Sequence, residues 1–134
     1  MTTLIDSMRQ AKSNGFMVYF SDHGEDVYDS GAHNILGRSE GKPTLPMYAV
    51  PFILWMTDSW RATYLNDFSS FLDRPYSTSH FIHTWSDLAG LSYEGFEPEK
   101  SLVSAQFKEM PVWIGDPHNP KSLTDLRKML PQEK

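Results

Sequence analysis

Residues 16–25 read Phe-Met-Val-Tyr-Phe-Ser-Asp-His-Gly-Glu, a run of apolar side chains that stops abruptly at Asp22-His23. Five consecutive apolar or aromatic residues, Phe16 to Phe20, read as a strand buried on both faces, as in a parallel sheet. Open α/β sheets take ligands just beyond the carboxyl ends of such strands. An oxygen donor and a nitrogen donor side by side at that place, Asp22 and His23, suit a zinc-type cation. Strand neighbours point to opposite faces, so both side chains can reach one ion only where the backbone bends, and Gly24 permits that bend. The alternative is a loop aspartate bonded to its own backbone beside a surface histidine. Two adjacent residues also fall short of the three or four protein ligands that zinc takes.

Upstream, Thr3 reads as an N-cap with Asp6 three residues on; Leu4, Ile5, Met8 and Ala11 share a face and Asn14-Gly15 supplies the stop. Helix, turn and strand make an αβ unit with no strand before it, the pattern expected of a truncated domain. Downstream, residues 21–45 form a long irregular stretch that includes His33, Arg38 and Glu40, and loops of this length are usually functional or disordered. A second apolar run, Ala49 to Met56, reads as another strand with Pro51 near its start. Asp58 reads as the cap of a helix through about Phe71, carrying Trp60, Tyr64 and Phe68 at spacings of four. Ser77-Thr78 open a third helix, with Phe81, Ile82, Trp85, Leu88 and Ala89 on one face and Gly90 at its end. Pro111 to Ile114 reads as a short last strand, and Ser122 as the cap of a terminal helix carrying Leu123, Leu126, Met129 and Leu130. Residues 1–134 thus read as a single α/β domain, or the end of one.

The net charge of −5, with no run of Lys and Arg, excludes a general nucleic-acid binder. The absence of cysteine excludes disulfides, thiolate zinc sites and cysteine nucleophiles. No stretch approaches 18 consecutive apolar residues, and the N-terminal MTTLIDSMRQAK lacks the apolar core of a signal peptide. Neither a G-x-S-x-G elbow, nor a phosphate loop, nor a G-x-G-x-x-G fingerprint occurs. His33, ten residues after His23, is close enough to fold back over the Asp22-His23 site, and alone would be a solvated loop residue. Glu25 could orient His23 or simply begin a helix. His80 and His83 have a spacing compatible with a metal but lie off the apolar face, where a structural or solvated role is the plainer one. His118, between two prolines, reads as an exposed turn residue.

The run YFSDHGEDVYD, then His33, then GRSEGKP and MYAVPFILWMTDSW, resembles the C-terminal part of phosphoethanolamine transferases of the lipopolysaccharide-core type. These are sulfatase-like members of the alkaline phosphatase superfamily, and FIHTWSDLAGL resembles a helix near the end of their domain. The resemblance spans nearly the whole chain. It implies the C-terminal portion of a three-layer α/β/α domain, with Asp22 and His23 as zinc ligands and His33 near the phosphoethanolamine group or near a second zinc. In such enzymes a threonine attacks phosphatidylethanolamine, carries the phosphoethanolamine, and passes it to lipopolysaccharide. The domain is periplasmic and anchored in the inner membrane. The family's nucleophilic threonine and a further acidic zinc ligand lie upstream of the part matched, and Thr2 and Thr3 do not occupy the nucleophile's turn. The expectation is therefore a fragment, or a reading frame begun at an internal methionine, that is inactive alone. A sulfatase or phosphodiesterase hydrolase fragment is one alternative. A non-enzymatic remnant that self-associates through an exposed sheet edge is another.

Overall fold

The computed structural model describes residues 1–30, 35–64 and 68–130. In chain order its helices and strands are α1 (Thr2–Gln10), β1 (Phe16–Phe20), β2 (Asp26–Val27), β3 (Leu36–Gly37), β4 (Phe52–Met56), α2 (Asp58–Arg61), α3 (Phe81–Leu88), β5 (Trp113–Ile114) and β6 (Thr124–Asp125). The class is α/β, as expected.

The two apolar runs pair with each other, and they pair antiparallel: Phe16 lies opposite Met56, Val18 opposite Leu54 and Phe20 opposite Phe52. The expected parallel partner is absent among the described residues. The connection between the runs, which carries β2, β3 and a 3-10 turn, returns the chain in the opposite direction. Burial on both faces is also not what the structure shows. Phe16, Val18 and Leu54 pack against the buried cluster of Met56, Trp60, Leu88 and Val103. Tyr19 and Ile53, paired on the other face, are 51% and 41% exposed.

Thr57 closes the open end of this ladder. Its amide donates to the Gly15 carbonyl at 3.0 Å, and its hydroxyl accepts from the amides of Gly15 and Trp60, both at 3.2 Å. Thr57, not Asp58, is therefore the N-cap of α2. That helix stops at Arg61 because the next amides reach back only three residues, Thr63 to Trp60 and Tyr64 to Arg61, each at 3.0 Å. The Thr63 hydroxyl also donates to the Trp60 carbonyl at 2.6 Å, competing for the group a longer helix would use. Trp60, Tyr64 and Phe68 still touch, with ring centroids 4.3 and 5.8 Å apart, so their spacing marks packing and not one continuous helix.

The face expected of α3 is largely reversed. Ile82 and Trp85 are 54% and 40% exposed, whereas His83, Thr84, Ser86 and Leu88 are buried. Backbone polarity decides this, because α3 lies against residues 97–102, where the Glu97 and Leu102 amides flanking the 3-10 turn Pro98–Lys100 need partners. The Thr84 hydroxyl accepts from the Leu102 amide at 2.9 Å and pairs with the Tyr76 hydroxyl at 2.7 Å. His83 Nδ1 accepts from the Glu97 amide at 3.1 Å, and Asp87 accepts from the Ser101 hydroxyl at 2.6 Å. Burial pushes the Tyr76 hydroxyl up to about 12.

At the C-terminal end, β5 and β6 form an antiparallel pair in place of the expected helix capped by Ser122. Asp125 draws the chain into this shape. It accepts from the Val112 amide, the Arg127 amide and the Arg127 guanidinium, and the last of these holds its carboxyl well below the usual range. Ser122 instead donates to the Asn119 carbonyl at 2.8 Å. α1 begins one residue before the expected Thr3 cap and has no side-chain cap.

The reversed face of α3 is checked by urea unfolding. Leu88→Ala is expected to cost about 2–5 kcal/mol and Ile82→Ala about 0.5 kcal/mol or less. Equal losses would place both residues on one buried face.

Candidate metal centre

The chain leaves β1 at Phe20 and turns sharply. The Ser21 hydroxyl donates to the His23 carbonyl at 2.7 Å, and the Asp22 carboxylate accepts from the His23 amide at 3.1 Å. The Gly24 amide then donates to the Met47 carbonyl at 3.0 Å, fastening the bend to the 3-10 turn Leu45–Met47. A Cβ on Gly24 would stand 2.0 Å from the Pro46 carbonyl oxygen, so the approach is open only to glycine.

The bend brings Asp22 and His23 to one side, with His23 Nε2 3.8 Å from Asp22 Oδ2. His23 Nδ1 lies 3.0 Å from the Gly24 carbonyl oxygen. A carbonyl only accepts, so Nδ1 carries the hydrogen and the lone pair of the neutral ring is on Nε2, the nitrogen beside the carboxylate. The Asp22 side chain is 88% exposed and that of His23 37%. Two ligands of a tetrahedral zinc stand about 3.3–3.4 Å apart, from bonds of about 2.0–2.1 Å. The observed spacing thus fits a shared zinc after a small side-chain rotation. Both residues line a cavity of about 630 Å³, together with Arg38, Tyr48, Tyr76 and Thr78.

Of the other expected groups, His33 lies outside the described residues. Glu25 is exposed, and the contact that fixes the His23 ring is the Gly24 carbonyl, not Glu25. His83 is structural, with its Nδ1 occupied by the Glu97 amide. Burial, and then the neighbouring Lys100 and His83, make His80 harder to protonate. Among the described residues, no three His, Cys, Asp or Glu side chains gather as a metal site.

Asp26 organises the loop after the bend, a role not expected from the sequence. It is fully buried and accepts from the amides of Tyr28 and Asp29 at 3.0 and 3.2 Å and from the Thr44 hydroxyl at 2.7 Å. Tyr28, next to the loop's β2 strand, takes a left-handed φ of 71° to allow this. The sequence signal was the Asp26-x-x-Asp29 spacing, a pattern of aspartates that bond backbone amides just ahead of them. Hydrogen bonds, first from the Ser30 hydroxyl and then from Thr44, hold the Asp26 carboxyl down from 3.8 to about 2 against the effect of burial.

The sulfatase family model matches residues 1–91, and the chain belongs to the sulfatase family. It is homologous to phosphoethanolamine transferases. It is 52% identical over 125 residues to the phosphoethanolamine transferase EptC of Escherichia coli K12, a match covering 93% of this chain and 22% of the relative. It is 54% identical over 112 residues to the phosphoethanolamine transferase CptA of Salmonella typhimurium LT2, covering 84% of this chain and 19% of that protein. The chain spans about a fifth of the length of these relatives. The crystal structure of the C-terminal periplasmic domain of EcEptC from Escherichia coli superposes with a TM-score of 0.85 at 53% identity, over 92% of this chain and 35% of that one. A structure of the same domain in complex with Zn gives a TM-score of 0.87 at 51% identity, over 95% and 36%. The fold is therefore the sulfatase-like α/β fold of that domain.

Two outcomes check the loop. Gly24→Ala should lower stability by about 1–3 kcal/mol, because a backbone carbonyl cannot give way as a side chain would; unchanged thermal melting would contradict this. A carboxyl held low in the folded state stabilises above its unfolded value and loses that contribution as pH falls through its folded value. The melting-temperature advantage of the wild type over Asp26→Asn should therefore be full above pH 3.8 and shrink toward pH 2.

Proposed function

We propose that residues 1–134 are part of one catalytic domain of a zinc-dependent phosphoethanolamine transferase. In it, Asp22 and His23 supply two of the metal ligands, and His33 approaches the phosphoethanolamine group. The single observation that carries this reading is the Nε2-to-carboxylate spacing of 3.8 Å at the end of β1, with Nδ1 tied to the Gly24 carbonyl. Homology at 52–54% identity to two phosphoethanolamine transferases supports transfer over hydrolysis. The donor is phosphatidylethanolamine and the acceptor lipopolysaccharide, at the periplasmic side of the inner membrane. No helix among the described residues is long and apolar enough to cross a membrane.

Zinc, when bound, would offset negative charge on the phosphoryl group in transfer. The chain's own contribution is positional. Gly24 aims the two donors, the Nδ1 hydrogen bond fixes the ring, and the buried Asp26 carboxylate shapes the loop that follows.

Zinc titration followed by NMR tests the site. Zinc should move the His23 ring signals, and His23→Ala or Asp22→Ala should abolish specific binding. Zinc binding equally well to both variants would sink the assignment. The chain by itself is expected not to turn over a phosphatidylethanolamine analogue. Robust zinc-dependent turnover that His23→Ala abolishes would show that two ligands without the family's upstream threonine suffice.

A further inference from the structure

A second cavity, of about 610 Å³, adjoins the first and shares Arg38, Tyr48, Trp113 and Ile114 with it. Asp116 and His118 line the second cavity and not the first. Its chemistry differs from that of the metal-side cavity.

Trp113 is 62% exposed, whereas its neighbour Ile114 is 4% exposed. The alternation of β5 turns the indole outward, and pairing with Asp125 fixes its position. Asp125 is itself held by the Val112 amide and by Arg127, so the indole stands on a stapled hairpin, not on a free loop. Gly115 makes the turn beyond β5 with φ 120°, where a Cβ would meet the Ser122 carbonyl oxygen at 2.7 Å. Asp116 closes that turn by accepting from the His118 amide at 2.8 Å.

Arg38 is fixed from two sides. Its Nη2 meets Glu40 Oε1 at 2.7 Å, and its guanidinium lies 5.6 Å from the centre of the Tyr48 ring. The Tyr48 hydroxyl donates to the other oxygen of Glu40 at 3.0 Å. The salt bridge occupies one corner of the guanidinium fork, which has five N–H donors in all. A fork held in place before binding loses little freedom on meeting an anion.

An exposed indole, a fixed guanidinium and the carboxylates of Glu40 and Asp116 around one hollow match the needs of a phosphorylated sugar. The indole takes the apolar face of the ring, Asp116 takes hydroxyls, and the guanidinium corners left free by Glu40 take the phosphate. We propose that this hollow, with Trp113 as platform and Arg38 as anion contact, is the subsite for an anionic saccharide acceptor. This rests on the transferase reading, because it is the shared wall with the Asp22–His23 cavity that would set the sugar beside the group to be transferred.

The test titrates the intact chain, without zinc, with core oligosaccharide released by mild acid from Escherichia coli lipopolysaccharide. NMR follows the Trp113 indole and Arg38 Nε–H signals. Both should shift together, and Trp113→Ala and Arg38→Gln should each weaken binding by about tenfold. Phosphatase treatment of the oligosaccharide should weaken binding to the wild type and remove the effect of Arg38→Gln. Thermal melting confirms that the variants fold, as the exposure of Trp113 leads one to expect. No shift at Trp113, or wild-type affinity in Trp113→Ala, overturns the proposal. So does a response to inorganic phosphate that equals the response to the oligosaccharide. Such a failure leaves zinc binding at Asp22 and His23 untouched. Conversely, zinc binding that ignores His23→Ala, beside intact saccharide binding, would remove the transferase reading and leave the saccharide site standing.

Discussion

Between the end of β1 and the turn that leads into β4 there is room for a hydrogen atom and nothing larger. The Gly24 amide bonds the Met47 carbonyl there at 3.0 Å, and any side chain at residue 24 would collide with the Pro46 carbonyl. Two consequences follow from this closeness. The loop after β1 is clamped to the segment that returns the chain to β4, so the antiparallel ladder and the bend are one construction. The bend also cancels the alternation of side chains along an extended strand, which would otherwise send Asp22 and His23 to opposite faces. A steric limit thus becomes a donor pair separated by 3.8 Å.

Behind the site, the core combines two kinds of cohesion. Rings and aliphatic side chains around Trp60, Leu88 and Val103 provide non-directional burial. Along α3 the burial is polar and directional, because Thr84, His83 and Asp87 satisfy the Leu102 and Glu97 amides and the Ser101 hydroxyl. Each of these buried bonds gains modestly when made and would cost more if left open, so the network sets the rotation of the helix more than it adds to stability. Tyr64 links the two kinds, stacking on Trp60 while its hydroxyl donates to the Asp87 carbonyl at 2.5 Å.

What could be read from the sequence was what local pattern determines. The apolar runs around Val18 and Leu54 became β1 and β4, and the acid–imidazole pair after the first run does sit together at its end. What could not be read was set by partners distant along the chain. Strand direction depended on pairing across the long loop. The inward face of α3 was decided by amides near residue 100, which apolar periodicity cannot register. The hairpin of β5 and β6 followed from a single carboxylate, Asp125, reaching back to the Val112 amide. Asp26 was overlooked because a buried aspartate looks, in sequence, like a solvated one. Its donors, among them the Tyr28 and Asp29 amides and the Thr44 hydroxyl, tell them apart.

In the proposed function, Asp22 and His23 act as a pair of zinc ligands, and their geometry is the part open to direct test. The tautomer gives it direction, since the Gly24 carbonyl leaves Nε2, and not Nδ1, with the free lone pair. A crystal of the zinc-soaked chain, measured on either side of the zinc absorption edge, tests this most directly. The account predicts an anomalous peak about 2.0–2.2 Å from His23 Nε2 and from an Asp22 carboxylate oxygen. A peak on His23 Nδ1, or a zinc ion held by His80 or His118 with Asp22 left bare, would contradict it.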